Sequence, residues 1–338
     1  MDNPLVSIII VNWNGERYLK DCLSSLKVQT YTNTEVFFVD NASSDNSVAN
    51  TKKLFPQFHF ILNKKNLGYA EGHDEAFGKT NGELVLFLSM DTILQKDAIA
   101  KLVSQMQSNI RIGAVQPKLL MWPQKNLIDS IGSFFLMSGL LYHYGREKEG
   151  TLAKYNKKME IFSAKGACLL FRKSVLLKTG LFDKDYFAYF EETDLCHRIW
   201  LAGNTIVYTP DAVVYHTGGG ASKRMAPTYI LFHSYKNRIQ TYIKNLSLKY
   251  LIQLLPFTLL VYLGASIGYL LRGNIGIAFA IQRSILWNIV HLPKILSKRR
   301  HVQQLRTVSD DNFLRRLTKK VRLSYYYYIF YGLGKYRD

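Results

Sequence analysis

Cysteines and acidic residues are scarce in this sequence, and several common ligand-binding motifs are missing. Three cysteines among 338 residues are too few and too scattered for a disulfide framework or a cysteine metal cluster, so we expect a reducing compartment. Neither GxGxxG nor GxxxxGK[ST] occurs, so neither a dinucleotide-binding fold nor a P-loop is supported. The start, MDNPLVSIII, has no basic segment before its apolar run and no small-residue cleavage site, so we expect no signal peptide.

Acidic residues are rarest in the C-terminal third of the chain. The whole sequence has 44 Lys and Arg against 25 Asp and Glu, but residues 223–338 hold 20 of the basic and only 3 of the acidic residues. The same region contains LIQLLPFTLLVYLGASIGYLL (251–271), which is uncharged and long enough to cross a bilayer core. Basic residues beside an apolar helix favour the anionic cytoplasmic leaflet. We therefore expect binding to an anionic membrane surface, on the cytoplasmic side of the cell membrane.

Two alternatives for this C-terminal region stay open. Basic residues around YYYYIFY (325–331) are compatible with base stacking, but no nucleic-acid-binding pattern is present and Tyr is also common at membrane interfaces, so we expect no nucleic-acid partner. The apolar stretch is also compatible with a buried helical hairpin, an alternative that Pro256 supports. A second apolar stretch, 275–293, is predicted to be an interfacial amphipathic helix because it carries polar residues. These are Gln282, Arg283, Asn288 and His291.

The first 220 residues alternate between apolar runs and amphipathic segments. The runs LVSIIIV, EVFFVD, FHFIL, ELVLFLS and IGAVQPKLL predict strands, and the segments between them predict helices. This alternation predicts an α/β domain with a mostly parallel sheet that is covered on both faces. In such sheets ligands bind at the carboxyl ends of the strands.

Polar residues suited to a nucleotide stand where three of these strands end. They are Asn12 and Asn14 after the first strand, Asp40 and Asn41 after the second, and Asp91 after the fourth. The carboxylate of Asp40 suits a base N–H or a ribose hydroxyl, although an Asx turn or a helix cap explains it equally well. The segment NKKNLGYAEG, with Asn66 and Gly68, is expected to offer backbone amides to a phosphate at the start of a helix.

Five motifs, taken in order, resemble one known family. They are VSIIIVNWNGERYLKDCLSSL, VDNASSDNS, NLGYAEG, LSMDT and the long segment from GACLLFRK to VVYHTGGGAS. This pattern resembles the family 2 inverting glycosyltransferases with the GT-A fold, and most closely their rhamnosyltransferase-like branch. The resemblance implies a GT-A domain over residues 1–222, with a nucleotide-binding part at about 1–120 and an acceptor part at about 121–222. Residues 223–338 would then form a basic, helical, membrane-associated region.

The resemblance implies that Asp91 binds a metal ion. Sugar transfer from a nucleoside diphosphate produces a highly charged leaving group, and a divalent cation offsets that charge. Asp91 matches the last acid of the family's Asp-x-Asp or Asn-x-Asp triplet, while Ser89 replaces its first residue. His216 matches the family's second metal-side candidate, although a loop histidine with one hydrogen bond is the simpler interpretation. The cation expected is Mg²⁺ or Mn²⁺, held mostly by oxygen ligands.

The base expected from the resemblance lies in YFEETDLCHRIWLAG. Inverting transfer needs a base that takes the proton of the attacking hydroxyl. The family pattern Glu-Asp-x-Asp becomes Glu191, Glu192, Thr193 and Asp194 here, so Glu192 takes the base position and Glu191 is its rival. Asp194 is a substrate-binding candidate, or else the i,i+4 partner of Arg198 at an acidic helix start. Small Gly166 is expected to let a substrate approach the backbone.

Two functions are compatible with these features. The first is an inverting, metal-dependent glycosyltransferase that moves a sugar from a dTDP- or UDP-linked donor to a glycan or lipid-linked acceptor in cell-surface glycan synthesis, with rhamnose suggested by the branch. The alternative is a catalytically silent nucleotide-sugar-binding or scaffold subunit of a polysaccharide assembly complex. The unusual residues Ser89 and Glu192 favour this alternative.

Overall fold

The computed structural model describes residues 3–219, 225–331, 333 and 336. The strands are β1 (Val6–Asn12), β2 (Thr34–Asp40), β3 (His59–Leu62), β4 (Leu84–Ser89), β5 (Thr92–Leu94), β6 (Ile112–Met121), β7 (Ile128–Ser130), β8 (Ser133–Phe135), β9 (Leu141–His143), β10 (Met159–Glu160), β11 (Cys168–Arg172) and β12 (Thr205–His216). The helices are α1 (Glu16–Lys27), α2 (Ser47–Leu54), α3 (Gly68–Phe77), α4 (Ala98–Gln107), α5 (Lys173–Thr179), α6 (Glu191–Leu201), α7 (Pro227–Asn245), α8 (Leu248–Leu271), α9 (Ile275–Val290), α10 (Leu292–Gln304), α11 (Asp310–Leu317) and α12 (Leu323–Tyr331). The five predicted strands and the helices between them are confirmed.

One large sheet organises the first two thirds of the chain. Its strand order is β10-β12-β6-β11-β4-β1-β2-β3, with β5 paired to β12 and β7 paired to β6. Strands β3, β2, β1 and β4 are mutually parallel, and so are β6 and β12. Strand β11 lies antiparallel between β4 and β6. The predicted α/β sheet is confirmed, with parallel pairing on both sides of β11, and the short strands β5, β7 and β10 add antiparallel pairs to β12 and β6.

Strand β4 shows why the sheet is covered on both faces. Leu86 and Leu88 pack into one apolar core, while Val85 and Phe87 pack into the other. Successive side chains of a strand point to opposite faces, so an uninterrupted apolar run is stable only with helices on both sides. Each fully buried side chain of this kind contributes about 1.5–3 kcal/mol. The run ends at Ser89, where the chain turns toward the edge of the sheet.

The C-terminal helices pack onto the sheet domain and share its core. Tyr242 of α7 and Phe313 of α11 belong to the same buried cluster as Leu195 and Trp200 of α6. Phe313 stacks on Trp200 with ring centroids 5.7 Å apart. The predicted boundary between residues 222 and 223, like the end of the motif VVYHTGGGAS, lies outside the described residues. The division into two regions stays a prediction.

Helix α8 contains the predicted apolar stretch 251–271 and turns one face outward. Leu260 and Leu271 are 66% and 82% exposed, so α8 is not the buried hairpin helix of the alternative interpretation. Among the described residues, one helix, α8, is both long enough and apolar enough to cross a membrane. Helices α9 and α10 would provide a second span only if the two were counted together as one bent helix. The helix predicted for 275–293 is present over 275–290 and ends at His291, where the chain bends by 69° into α10. Its interfacial position stays a prediction.

Candidate functional site

The sheet brings Asp91 and His216 together. Asp91 follows β4, and the chain then forms β5, which pairs with the end of β12 so that Thr92 lies opposite His216. The amide of Thr217 donates to the backbone oxygen of Asp91 at 3.0 Å, which closes this corner. As a result, Nε2 of His216 lies 3.4 Å from Oδ1 of Asp91, and both side chains are buried. Two residues that are 125 positions apart in sequence thus form one polar site at the edge of the sheet.

Ser89 contacts the same carboxylate. Its hydroxyl donates a hydrogen bond to Oδ1 of Asp91 at 2.6 Å. The family that this sequence resembles has an acid or an amide at this position. Here the position holds a hydroxyl that donates a hydrogen bond to Asp91 and orients its carboxylate. Ser89 adds no negative charge to the site.

Asp129 holds the other side of the His216 ring, a role that was not predicted from the sequence. Its Oδ2 lies 2.8 Å from Nδ1 of His216, and Nζ of Lys165 lies 2.6 Å from the same oxygen. Burial alone would raise the pKa of Asp129, but Lys165 and His216 outweigh it and hold this pKa well below its usual range. Because an ionised carboxylate only accepts hydrogen bonds, Nδ1 must be the donor. A signal was present in the sequence, since Asp129 is a lone acid in the otherwise uncharged run LIDSIGSFF.

The pair of Asp91 and His216 fits a divalent cation that is held by few protein ligands. One carboxylate oxygen and one imidazole nitrogen face each other, and the second ring nitrogen is fixed by a carboxylate, as is common for metal-ligating histidines. Among the residues that the structure describes, no group of three His, Cys, Asp or Glu side chains could hold a metal ion. The remaining ligands would have to be waters and phosphate oxygens of a substrate, which suits Mg²⁺-type sites.

Asn12 and Asp40 form a buried network at the ends of β1 and β2. Oδ1 of Asp40 accepts from Nδ2 of Asn12 at 2.7 Å and from the hydroxyl of Ser43 at 2.6 Å. Oδ2 of Asp40 accepts from the amide of Ser43 at 2.9 Å. Both oxygens therefore close the turn, as the Asx-turn alternative predicted. Asn14 extends this network, because its side-chain oxygen accepts from the amide of Ser44 at 2.7 Å.

Asn41, Asn66 and Gly68 line a small cleft of about 100 Å³ beside Ser89. Nδ2 of Asn41 donates to the backbone oxygen of Gly68 at 2.9 Å. The amide of Gly68 donates to Oδ1 of Asn66, and the amide of Tyr69 donates to the backbone oxygen of Phe187, each at 2.9 Å. Both amides therefore have acceptors within the chain, and the phosphate site expected near Gly68 stays a prediction. The three residues form a wall of the cleft.

Two glutamates begin α6 after a sharp turn. Tyr189 and Phe190 both adopt left-handed backbone conformations, with φ of 72° and 71°, and this reverses the chain just before Glu191. Among the described residues, the Oε2 atoms of Glu191 and Glu192 are buried without a hydrogen-bond partner. Burial raises the pKa of both carboxyls, while Lys165 opposes the rise at Glu192.

Only one of these two glutamates lines a cavity. Glu192 contributes to a cavity of about 290 Å³, called here the Glu192 cavity, which is also lined by Asp129, Arg146, Lys165 and Arg238. Glu191 is 6% exposed and does not line it. The cavity places Glu192 on the same side of the sheet as Asp129, which in turn contacts His216. Of the two rivals, Glu192 is thus the carboxylate positioned to meet a ligand.

Gly166 and Asp194 have internal partners in the structure. The hydroxyl of Tyr69 donates to the backbone oxygen of Gly166 at 2.6 Å, and a Cβ at Gly166 would come within 2.9 Å of that hydroxyl. The space at Gly166 is therefore occupied by Tyr69. Asp194 is fully buried and forms ion pairs with Nε of Arg198 and Nζ of Lys244, each at 3.0 Å. The i,i+4 pair with Arg198, the alternative role predicted for Asp194, is present, and Asp194 holds α6 against α7.

Comparison with known sequences gives one family match and several distant relatives. The profile of the family described as Glycosyl transferase family 2 matches residues 7–180. An N-acetylglucosaminyl-diphospho-decaprenol L-rhamnosyltransferase of Mycobacterium tuberculosis is 24% identical over 252 residues, which are 68% of this chain and 81% of the relative. An uncharacterized glycosyltransferase of Haemophilus influenzae is 31% identical over 119 residues, or 34% of this chain. An N-acetylglucosaminyltransferase of Rhizobium meliloti is 26% identical over 223 residues, or 62% of this chain. The chain spans only 37% and 50% of these last two relatives.

Solved structures share the fold at low sequence identity. GalNAc-T7 with UDP, GalNAc and Mn²⁺ superposes with a TM-score of 0.58 at 16% identity, covering 73% of this chain and 49% of that one. The mannosyltransferase PcManGT of Pyrobaculum calidifontis, in complex with GDP-Man and Mn²⁺, gives a TM-score of 0.52 at 16% identity and covers 89% of this chain and 86% of its own. Staphylococcus aureus TarS 1-349 in complex with UDP gives a TM-score of 0.52 at 16% identity and covers 71% of this chain and 66% of that one.

Proposed function

The chain belongs to glycosyl transferase family 2, and on that basis we propose that it is an inverting glycosyltransferase with the GT-A fold. Its donor would be a nucleoside diphosphate sugar, bound at the carboxyl ends of β1, β2 and β4. The solved structures that share the fold carry UDP or GDP-mannose, which supports a nucleotide-linked donor. That donor would be dTDP- or UDP-linked.

One observation carries this proposal. Glu192 lines a cavity with a buried carboxylate oxygen that has no partner among the described residues, and the wall of the same cavity includes Asp129, the residue that fixes His216 beside Asp91. A base for the acceptor and a site for the leaving diphosphate thus lie in adjoining parts of the molecule. Inverting transfer needs these two groups on opposite sides of the anomeric carbon.

In the proposed reaction, the acceptor hydroxyl gives its proton to the carboxylate of Glu192 as its oxygen attacks the anomeric carbon. The bond from that carbon to the diphosphate oxygen breaks, and its electron pair leaves with the diphosphate. The raised pKa of Glu192 makes its ionised form a stronger base, and Lys165 helps to keep that form populated. Glu191, whose pKa is held well above its usual range by burial and by Glu192, would stay protonated.

Asp91 and His216 would hold Mg²⁺ or Mn²⁺ together with the donor's diphosphate. A bound divalent cation would offset the charge that develops on the leaving diphosphate. In this chain Ser89 orients the Asp91 carboxylate and Asp129 orients the His216 ring, so both ligands are held in place by neighbours. Two structures that share the fold contain Mn²⁺, which supports use of such a cation.

The acceptor and the location are proposed from the relatives and from α8. The mycobacterial relative is named for transfer of L-rhamnose to a diphospho-decaprenol-linked acceptor, which supports a lipid-linked acceptor, rhamnose as the sugar and a part in cell-surface glycan synthesis. The exposed apolar face of α8 would lie in the membrane. Gly139 of the sheet domain packs so closely on Thr258 that a Cβ there would collide with the threonine hydroxyl, so the middle of α8 contacts the domain. This arrangement favours a helix embedded in the cytoplasmic surface over one that crosses the membrane.

A donor panel tests the proposal. Release of nucleoside diphosphate from dTDP-rhamnose, UDP-GlcNAc, UDP-galactose and GDP-mannose would be measured with Mn²⁺ and with chelator, in the presence of membrane lipid extract as acceptor. We expect release from one donor, loss of the signal with chelator, and a drop of about 100-fold or more in Glu192→Gln and Asp91→Ala. The matched control is Glu191→Gln, which removes the neighbouring carboxylate and should retain most of the activity.

The catalytically silent alternative predicts a different result. The first residue of the family triplet is replaced by Ser89, and this observation favours a subunit that binds nucleotide without turnover. Saturable binding of UDP or dTDP with no release from any donor would support that alternative and refute the proposed enzyme.

A further inference from the structure

The Glu192 cavity is lined by a cation, Arg238, that forms no ion pair within the described residues. Arg238 of α7 lines the cavity, and its Nε is buried without a hydrogen-bond partner among the described residues. No carboxylate in the described part of the chain forms an ion pair with it. Its guanidinium donates a hydrogen bond from Nη1 to the hydroxyl of Tyr262 at 3.2 Å and stacks 5.0 Å above the ring of Phe190. These contacts fix the plane of the guanidinium and leave most of its donors to the cavity.

Two further cations line the same cavity, and their charges are only partly compensated. Lys165 and Arg146 both contact Asp129, at 2.6 Å and 3.4 Å, and Asp129 also accepts the hydrogen bond from His216. Arg146 also forms an ion pair with Glu147 at 3.8 Å. Among the residues that line the cavity, the three cations stand against two carboxylates, Asp129 and Glu192, which leaves one positive charge in excess.

His143, on the wall of this cavity, responds to the same surplus. Burial lowers its pKa, and the charges of Arg146, Lys165 and Arg238 lower it further, to about 3. Its Nδ1 lies 3.0 Å from the hydroxyl of Ser133, so the ring is hydrogen-bonded in its neutral form. A cavity lined by more cations than carboxylates, with a neutral histidine, suits an anionic ligand.

The position of Arg238 connects the cavity to the apolar helices. Tyr262, its hydrogen-bond partner, belongs to α8, whose opposite face exposes Leu260, Leu263 and Ile267. Arg238 therefore lies between the cavity and α8, and the apolar tail of an anionic ligand held at Arg238 would pass around α8 to its exposed apolar face. Guanidinium groups bind phosphate oxygens with two parallel hydrogen bonds, and Arg is suited to this role when its plane is fixed.

We propose that the Glu192 cavity binds the phosphate or diphosphate group of an acceptor with an apolar tail, and that Arg238 is its principal anchor. Arg146 and Lys165 supply additional positive charge. This inference rests on the proposed function for the role of Glu192, but it concerns binding and does not require turnover. The donor's diphosphate would lie elsewhere, at Asp91 and His216.

The experiment measures binding of farnesyl diphosphate to the full chain in detergent by isothermal titration calorimetry, without donor. Farnesol and inorganic pyrophosphate are the comparison ligands, because one lacks the anion and the other lacks the tail. The variants are Arg238→Gln and Arg238→Lys, and the matched control is Arg283→Gln, which removes the same charge from α9 outside the cavity, where Arg283 stacks on Phe232. Thermal unfolding midpoints check that each variant is folded.

We expect farnesyl diphosphate to bind more weakly to Arg238→Gln by about tenfold or more, with partial retention in Arg238→Lys and no change in Arg283→Gln. Farnesol should bind more weakly than farnesyl diphosphate and equally to all variants. Pyrophosphate that binds as tightly as farnesyl diphosphate would mean a site for free diphosphate and overturn the lipid-linked assignment. Unchanged binding in folded Arg238→Gln, or displacement of farnesyl diphosphate by UDP, would overturn the proposal.

Failure of the proposed function gives a different pattern. If no donor is turned over but farnesyl diphosphate binding depends on Arg238, the anion site stands and the enzyme assignment fails. If a donor is turned over while binding is insensitive to Arg238, the enzyme assignment stands and this inference fails.

Discussion

His216 donates a hydrogen bond from Nδ1 to the carboxylate of Asp129 at 2.8 Å, and this leaves the other ring nitrogen, Nε2, directed at Asp91. Nε2 then lies 3.4 Å from Oδ1 of Asp91. His216 and Asp129 are far apart in sequence. They meet because β12, which ends at His216, and β7, which contains Asp129, both pair with β6. Asp129 is thus a positioning residue for the proposed cation site.

We predict that Asp129→Asn weakens Mn²⁺ binding by about 10- to 100-fold, because residues that orient a ligating histidine typically have effects of that size. Binding is measured by electron paramagnetic resonance of free Mn²⁺ during a titration in the presence of UDP. Asp97→Asn is the matched control, since Asp97 is an exposed carboxylate paired only with Lys101 at 2.8 Å.

A double-mutant cycle separates positioning from general damage. If Asp129 acts through His216, Asp129→Asn should add little further loss of Mn²⁺ affinity in a His216→Ala background. Full additivity of the two losses would contradict the positioning role.

The backbone at Gly68 gives a second prediction. Gly68 has φ of +76°, and a Cβ there would collide with the backbone oxygen of Phe187. Gly68→Ala should therefore lower the free energy of unfolding by about 1–2 kcal/mol from backbone strain alone, and more from the collision. It should also weaken UDP binding, because Phe187 and Gly68 line the same cleft. Urea unfolding and calorimetry are the measurements.

Gly78 offers the control for that substitution. It follows the last residue of α3 in a right-handed helical conformation, and no heavy atom lies within 4 Å of the position that an alanine methyl would take. Gly78→Ala should leave both stability and UDP binding near the original values. Equal effects of the two substitutions would contradict the argument from Gly68.

The fold was predictable from the sequence because its signals are local. Strand β4, and β1 apart from Ser7, are apolar runs that end in polar residues, and such runs identify buried parallel strands without any knowledge of distant contacts. The candidate cation site was predictable to the extent that Asp91 and His216 stand at strand ends within family motifs. The acceptor of the Tyr69 amide was not predictable, since the backbone oxygen of Phe187 comes from a loop more than 100 residues later.

The parts that the sequence did not reveal depend on contacts between distant elements. Asp129 lies in a three-residue strand whose partner is β6, and Arg238 lies on a helix that resembles any basic amphipathic segment. Whether a lone charge is solvated or faces a cavity is decided by packing against other elements. For the same reason, the pattern of apolar residues in 251–271 did not show whether this helix would be buried or would expose one face.

The exposed face of α8 predicts binding to lipid. Replacing Ile252, Leu260, Leu263 and Ile267 with Ser should reduce co-sedimentation with anionic phospholipid vesicles by more than about tenfold, because all four side chains are exposed and apolar. The control replaces four exposed apolar side chains of the sheet domain with Ser. These are Val28, Leu54, Ile110 and Leu177. Vesicle binding that survives the α8 substitutions, or is lost equally in the control, would refute a membrane-facing α8.

The last prediction concerns acid stability and the buried imidazole of His197. Its ring lies between Phe162 and Phe313, and both ring nitrogens are buried without a hydrogen-bond partner among the described residues. Burial lowers the pKa of His197 from 6.5 to about 4, against the opposing charge of Asp310. As the pH falls below 6.5, the unfolded chain takes up this proton before the folded chain does. Stability is therefore complete above pH 6.5 and is lost as the pH falls toward 4.

His197→Phe tests this linkage because it removes the titrating ring and keeps an aromatic side chain in an aromatic site. Between pH 7.5 and pH 5, the free energy of unfolding of the original protein should fall by about 2 kcal/mol more than that of the variant. Urea unfolding at the two pH values measures the difference, and titration of other buried histidines cancels because both proteins retain them. His301→Phe, at an exposed position, should lose stability with pH as the original protein does. Parallel pH dependence in His197→Phe and the original protein would mean that the pKa of His197 is the same in the folded and unfolded chains, and it would refute this linkage.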